Sequence, residues 1–242
     1  SFVIPQSIIV VSKKSKEDCI NNGYDKKKLV LIQNGYDLSI LKPINYYKFY
    51  FNKKLKIKKK TPILGTVARF DVKKDYSTLL KSLSILKLRN VDFFCVLVGP
   101  NINYKNLVLV NMIKKLELNK YIKLMGSQNN ITKVMNGIDI YIQSSSYGEG
   151  FPNVVAEAMA SGTPCVVTDV GDSSLIVGKT GWTVKTRNSK LLAYSIMKAI
   201  KKSKSKEWDF QCKTARNRIV NKFTMEKMIN NKDLTINKED FL

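Results

Sequence analysis

The sequence predicts an α/β fold built on a doubly wound, Rossmann-like parallel sheet, and three observations carry that prediction. Short apolar runs alternate with helical patterns from residue 63 onward. The runs are apolar at nearly every position, as in strands covered on both faces, rather than at every second position. Turn residues such as Gly99-Pro100 and Gly162-Thr163-Pro164 punctuate the boundaries.

The elements follow in order. Ile8-Ile9-Val10-Val11 reads as a strand that stops at Ser12, a residue suited to cap the next helix. Residues 28–32 form a second strand-like run that ends at the turn signal Asn34-Gly35. Residues 42–61 hold Pro43, a Lys/Tyr/Phe-rich stretch and a lysine run before Pro62, and read as a linker. The regular alternation then begins. Residues 63–68 are a buried strand. Residues 75–90 are a helix with Leu79, Leu80, Leu83 and Leu86 on one face. Strands are expected at 93–98, 121–125, 138–143 and 165–167, and helices at 106–118, 131–136 and 153–160. Two closing helices are expected at 189–202 and 209–230.

A chain of 242 residues, 44 % of them hydrophobic, is long enough for one large domain with a sizeable core. No stretch reaches the roughly 18 apolar residues of a membrane-spanning helix. Ser1-Phe2-Val3-Ile4-Pro5 reads as mid-domain sequence, so the chain is expected to be part of a longer one. Cys19, Cys95, Cys165 and Cys212 are widely spaced and there is no His, which speaks against a zinc site and for buried, reduced thiols. Without His, the commonest general base is missing.

The formal charge is +23, yet only five of the 42 basic residues are Arg. Surfaces that clamp phosphates or read bases favour Arg, so nucleic acid is not the expected partner. Diffuse Lys charge suits attraction to an anionic membrane surface, which needs only point charges.

Ligands of doubly wound sheets bind outside the carboxyl ends of the strands. After the strand at 63–68 come Arg69 and Lys74, two cations placed to clamp a diphosphate. Alone, such a pair is an ordinary loop feature. After the strand at 138–143 comes Ser144-Ser145-Ser146-Tyr147-Gly148-Glu149-Gly150-Phe151-Pro152-Asn153, then a helix carrying Glu157. Glycines allow close backbone approach, and the helix N-terminus offers free N–H groups. Glu157 is placed to accept from ribose hydroxyls; the plainer reading is a cap at Glu149 and a solvated Glu157.

The run from Glu149 to Pro164, with two glutamates separated by seven residues, resembles the signature of group 1, or family 4, retaining glycosyltransferases of the GT-B fold. Further segments agree in order: Val67-Ala68-Arg69 through Lys74, Val98-Gly99, Leu124-Met125-Gly126, Thr168 to Asp172, Thr180 to Val184, and Asn34-Gly35-Tyr36-Asp37 near the start. Asp75 stands where many members have Gly, and a capping role makes it tolerable.

The resemblance implies a C-terminal donor-binding domain at 62–205. It also implies the end of an N-terminal acceptor domain at 1–42, a linker at 43–61, and a C-terminal helical segment at 206–242 crossing back to the N-terminal side. Arg69 and Lys74 would hold the diphosphate. Glu149 and the backbone of Gly150, Phe151, Pro152 and Asn153 would hold the donor sugar. Glu157 would hold the ribose, and the Gly126-Ser127 loop would lie near the base. The implied donor is a UDP- or GDP-sugar and the acceptor a glycan or lipid-linked sugar, with no metal and no separate cofactor. A metal-dependent alternative would want Asp-x-Asp, and Asp139-Ile140-Tyr141 offers only its first residue. Family context implies bacterial surface polysaccharide assembly at the inner face of the cell membrane. The expected function is sugar transfer with retained configuration, the donor half being inactive alone. The alternatives are a nucleotide-sugar-binding module that works with a partner chain, and a glycosidase using Glu149 and Glu157.

Overall fold

The computed structural model describes residues 5–58 and 60–235. Parts of the terminal segments expected at 1–42 and 206–242, namely 1–4 and 236–242, lie outside the described residues, as does Lys59.

A six-stranded, all-parallel sheet forms the centre. Its strands are β3 (Ile63–Val67), β4 (Phe94–Val98), β5 (Ile122–Leu124), β6 (Ile140–Gln143), β7 (Cys165–Thr168) and β8 (Trp182–Val184). The spatial order is β5-β4-β3-β6-β7-β8. The chain thus winds outward from β3 to one edge, returns, and winds from β6 to the other. The reversal between β3 and β6 leaves a crevice at their carboxyl ends, where doubly wound sheets place ligands.

Both faces of this sheet are buried, which explains its unbroken apolar runs. Leu64, Cys95, Leu97, Ile140 and Ile142 face one core with Leu79, Leu83, Leu192 and Ile196. Their neighbours Ile63, Val96, Val98 and Tyr141 face the other core with Val155, Met159 and Ile219. Alternation along a strand sends successive side chains to opposite faces, and both faces are dry.

Helix α3 (Tyr76–Leu88) lays the leucine stripe Leu79, Leu80, Leu83 and Leu86 against the first core, each fully buried. Helices α4 (Leu107–Lys115), α5 (Ile131–Gly137) and α8 (Ser189–Ser203) start at Asn106, Asn130 and Asn188, whose side chains accept first-turn N–H groups. Asp75 caps α3 by accepting from Thr78 N at 3.0 Å, and it sits in the left-handed region at φ 46°. A glycine there would lose the cap but remove the strain. We expect Asp75→Ala to cost about 2 kcal/mol in urea unfolding, one part for the cap and one for the left-handed backbone. Asp75→Gly should stay within about 0.5 kcal/mol of the parent, because glycine replaces a cap at a cost of only a few tenths.

Four elements depart from the sequence expectation: a short helix α7 (Ser173–Val177) follows β7 where none was expected, and three further differences are larger. The supposed linker 42–61 contains helix α2 (Asn45–Lys54), which packs on α5 with Phe51 buried against Gly137. A sixth strand, β8, extends the sheet beyond the five expected. The closing helix at 209–230 is two helices, α9 (Trp208–Lys222) and α10 (Met225–Thr235). The break lies at Phe223–Thr224. Tyr36 N donates to Phe223 O and Met225 N donates to Tyr36 O, a pairing that takes these two backbone groups out of the helix. Gly35 is required at this crossing: a Cβ there would lie 2.6 Å from Thr224 O.

Residues 8–31 stand apart from the main sheet. Strands β1 (Ile8–Val10) and β2 (Leu29–Leu31) pair in parallel around helix α1 (Lys13–Asn21), capped by Ser12 as expected. Ile9, Val11 and Ile40 are exposed, whereas Val10, Leu29 and Ile32 are buried. Of the four thiols, Cys95 and Cys165 are buried, whereas Cys19 and Cys212 are partly exposed, so only two of them match the expected burial.

Candidate functional site

The loops after β3 and β6 meet over the sheet crevice. Asp71 opens a single 3-10 turn, Val72–Lys74, by accepting from Lys73 N, and it also accepts from Arg69 Nε at 3.2 Å. This turn aims Lys74 inward and leaves the Arg69 side chain 63 % exposed over the crevice rim. The loops are tied together by one backbone and one side-chain hydrogen bond: Ser146 N donates to Lys73 O, and Ser144 Oγ to Lys74 O at 2.7 Å.

Lys74 Nζ lies 2.5 Å from Glu149 Oε1, and that same oxygen accepts from Ser145 Oγ at 2.6 Å. The Glu149 side chain is only 10 % exposed. A cation from one loop and a carboxylate from the other therefore share one small depression, floored by Thr66, Gln143 and Ser145.

Glycines shape the loop that carries Glu149. Gly148 takes φ +73° beside the aliphatic stem of Lys73. Gly171, at φ +57°, passes so close that a Cβ would lie 2.4 Å from the carbonyl oxygens of both Glu149 and Gly150. No side chain fits between these two backbones, so Gly171 seats the loop.

Helix α6 (Asn153–Ala160) follows at once. Pro152 is its N-cap residue, not its first helical residue, and no side chain caps it. Its first-turn N–H groups thus face the crevice without a side-chain acceptor, and its dipole places partial positive charge there. Phe151 is buried, edge-on to Phe223 at 5.4 Å between centroids. Glu157 is half-buried, one turn into α6, and its carboxylate makes no hydrogen bond or ion pair with the described residues. Burial pushes its carboxyl above the usual carboxylate range. The Tyr36 hydroxyl is pushed up as well, by burial first and then by the charge of Glu157.

The structure thus brings Lys74, Glu149, Gly150, Phe151, Pro152 and Asn153 together, with Glu157 on the same helix and Arg69 at the rim. Gly126 and Ser127 also lie at the carboxyl end of the sheet, but beyond β5, two strands from β3. Gly126 takes φ +66° with open space beside it, and its carbonyl accepts from Gly99 N. This loop touches neither Lys74 nor Glu149 by any hydrogen bond among the described residues.

Several supporting residues escaped the sequence reading. Ser145 holds Glu149. Asn34 Nδ2 and the Tyr36 hydroxyl both donate to Asn153 Oδ1, at 2.7 and 2.8 Å. The buried carboxylate of Asp172 accepts from Lys13 N and Lys14 N at the start of α1, while its backbone N–H donates to Gly150 O. The segment 12–36 is thereby tied to the signature loop. The only sequence signal for these links was membership of matching segments; contacts between residues over 100 positions apart leave no local pattern. Among the described residues, no group of three or more Cys, Asp or Glu is arranged to hold a metal.

A family model described as glycosyl transferases group 1 matches residues 48–214. An Escherichia coli UDP-Gal:alpha-D-GlcNAc-diphosphoundecaprenol alpha-1,3-galactosyltransferase is 25 % identical over 235 residues, covering 95 % of this chain and 59 % of that protein. A Campylobacter jejuni N,N'-diacetylbacillosaminyl-diphospho-undecaprenol alpha-1,3-N-acetylgalactosaminyltransferase is 29 % identical over 202 residues, covering 81 % of this chain and 51 % of the relative. The chain therefore spans only about half to three-fifths of the length of these relatives. Among solved structures, a glycosyltransferase from Rickettsia africae ESF-5 superposes with a TM-score of 0.86 at 23 % identity, covering 97 % of this chain and 63 % of that one. Anabaena Alr3699/HepE in complex with UDP-glucose superposes with a TM-score of 0.83 at 21 % identity, covering 95 % and 62 %. These likenesses show the fold expected, that of the GT-B glycosyltransferases over the part of them that is covered. The family match runs from within α2 to within α9 and contains the whole crevice with both loops that line it. The chain belongs to the glycosyl transferases group 1 family.

Proposed function

We propose that this chain is the donor-binding half of a retaining glycosyltransferase. The observation that carries the reading is the meeting of Lys74 and Glu149 at the sheet crevice, beside the open N-terminus of α6. A diphosphate needs cations and N–H donors, which Arg69, Lys74 and the first turn of α6 supply. Sugar hydroxyls need an acceptor fixed in place, and Glu149 is fixed by Ser145. A ribose needs a carboxylate able to take two hydroxyl donors, and the unpaired Glu157 meets that need. The Gly126-Ser127 loop, with open space beside Gly126, is placed for the base.

In the transfer step the bond from the anomeric carbon to the diphosphate oxygen breaks. A bond to the acceptor oxygen forms on the same face, and the acceptor proton leaves with the departing phosphate. Negative charge grows on that phosphate, and Arg69, Lys74 and the α6 dipole stabilise it. The donor is a UDP-sugar, by analogy with the named relatives, and the sugar a hexose or N-acetylhexosamine. The acceptor class is a lipid-linked sugar, and the protein works at the cytoplasmic membrane surface. No helix among the described residues is long and apolar enough to cross a membrane, so that contact is peripheral in this reading.

The test is calorimetric titration of the chain with a panel of UDP- and GDP-sugars. Saturable binding of one or two donors, competed by the bare nucleotide diphosphate, supports the reading. A folded chain that binds no donor, even when extended upstream, overturns it. Transfer is expected only from the extended chain; turnover by these 242 residues alone would overturn the assignment of the acceptor site to the missing part.

A further inference from the structure

We propose that the outer face of α2, with the lysine segment that follows it, docks the protein onto an anionic lipid surface. The inference rests on the peripheral reading above and adds the surface that makes the contact.

Helix α2 has the sequence Asn-Tyr-Tyr-Lys-Phe-Tyr-Phe-Asn-Lys-Lys. One face is spent on the fold: Phe51 is buried against Gly137, and Lys48 pairs with Asp139. On the opposite face Tyr46, Phe49 and Lys53 recur at i, i+3 and i+7, and the rings of Tyr46 and Phe49 are 63 % and 64 % exposed. Tyr50 borders this face, with Lys54 and Lys133 over its ring at 5.5 and 4.0 Å. Exposed aromatic rings among lysines suit a bilayer interface, where one side of the group is apolar and the other wet.

The charge around this face has one sign. Between Asp37 and Asp71 the sequence contains no acidic residue. Lys42, Lys53, Lys54, Lys56, Lys58 and Lys60 are all exposed there. Clustered lysines beside a surface of this kind are attracted to anionic headgroups, each contributing about 1 kcal/mol near the membrane. The basic charge of this segment thus has no acidic neighbour in sequence beside two well-exposed aromatic side chains.

Position in the fold argues for a lipid partner over the missing half of the protein. Helix α2 anchors at the amino end of β6, through Lys48 to Asp139 and Ile44 N to Asn136 Oδ1. Segment 12–36, which the family resemblance assigns to the end of the acceptor domain, attaches at the other end of the sheet, at Gly150, Asn153 and Asp172. The outer face of α2 is therefore left uncovered by the segment through which the rest of the protein joins.

The experiment is vesicle co-sedimentation of the chain, using phosphatidylcholine with and without phosphatidylglycerol, at low and high salt. We expect binding only with the anionic lipid, weakened by salt. Replacing Lys53, Lys54, Lys56 and Lys58 by Glu should weaken it by about tenfold or more. Tyr46→Ser with Phe49→Ser should weaken it several-fold at unchanged charge. A control with the same charge change, Lys190, Lys198, Lys201 and Lys204 to Glu on or just after α8, should bind far better than the α2 variant. Equal loss in both, binding to neutral vesicles, or no binding at all would overturn the proposal. So would a fall in the sedimentation coefficient of the Tyr46/Phe49 variant without lipid, which would make the face a contact between copies. UDP titration of each variant separates the two readings: a chain that binds UDP but no vesicle refutes only the docking surface, and one that binds vesicles but no donor refutes only the proposed function.

Discussion

Replacing Glu157 by Ala is expected to weaken UDP binding by about a hundredfold. Hydrogen bonds to a charged acceptor contribute about 1.5–3 kcal/mol each, and two ribose hydroxyls would donate to this carboxylate. Half-exposure screens part of that, leaving about 2.7 kcal/mol, or two factors of ten in affinity. Glu157→Gln keeps one acceptor and should fall between the parent and Ala. The same substitution should have the opposite effect on stability. Burial raises the carboxyl of Glu157 above its unfolded value, so the folded chain prefers the protonated form. At neutral pH the ionised carboxylate therefore opposes folding, and Glu157→Gln should raise the Tm. The two chains should converge as pH falls and the parent takes up its proton in the folded state. Donor affinity of the parent should decline over that same interval, at a pH above the usual carboxylate range. Calorimetry and thermal melts across pH check both; a Gln variant that binds UDP as tightly as the parent would remove Glu157 from the site.

This opposition between stability and binding explains why the site residues were legible in the sequence and much of their support was not. A carboxylate inside an otherwise apolar helix, Asn-Val-Val-Ala-Glu-Ala-Met-Ala, violates the pattern around it, and such a violation points to a ligand. The strands were legible for the converse reason: Ile63–Val67 and Phe94–Val98 are apolar throughout because both faces are covered. The rule that ligands sit beyond strand carboxyl ends points to Arg69, Lys74 and Glu149 from the sequence alone. The strand order is set by non-local pairing and had no local signal. Helix α2 was hidden because it buries one residue, Phe51, and shows no apolar stripe of helical period. Strand β8 is three residues at the sheet edge, with Trp182 and Thr183 not fully buried, too short to declare a period. The break at Phe223–Thr224 is made by Tyr36, and its one local sign is Thr224, whose hydroxyl accepts from Lys227 N at the start of α10.

The second large effect is expected at Lys74, where the ion pair couples stability to binding. In the chain without ligand, Lys74 and Glu149 neutralise each other at 2.5 Å, with side chains 23 % and 10 % exposed. A bound donor would give each a new partner: the diphosphate would take Lys74 and the sugar hydroxyls would take Glu149. Removing Lys74 thus acts twice. Lys74→Ala leaves a mostly buried carboxylate with Ser145 alone, and we expect a loss of about 2 kcal/mol in unfolding, below the 3–5 kcal/mol of a fully buried pair because Lys74 keeps some solvent. It also removes the cation nearest the crevice floor, and UDP affinity should fall by about a hundredfold, the scale of two strong contacts to a charged group. The double variant Lys74→Ala/Glu149→Gln separates the two actions. With no charge left to neutralise, it should regain most of the lost stability, yet it should bind UDP no better than Lys74→Ala. Glu149→Gln alone should leave bare UDP affinity within a few-fold of the parent while reducing the extra affinity that the sugar adds. A double variant that recovered UDP binding along with stability would mean that Lys74 serves the fold only, and the diphosphate would then have to rest on Arg69 and the N-terminus of α6.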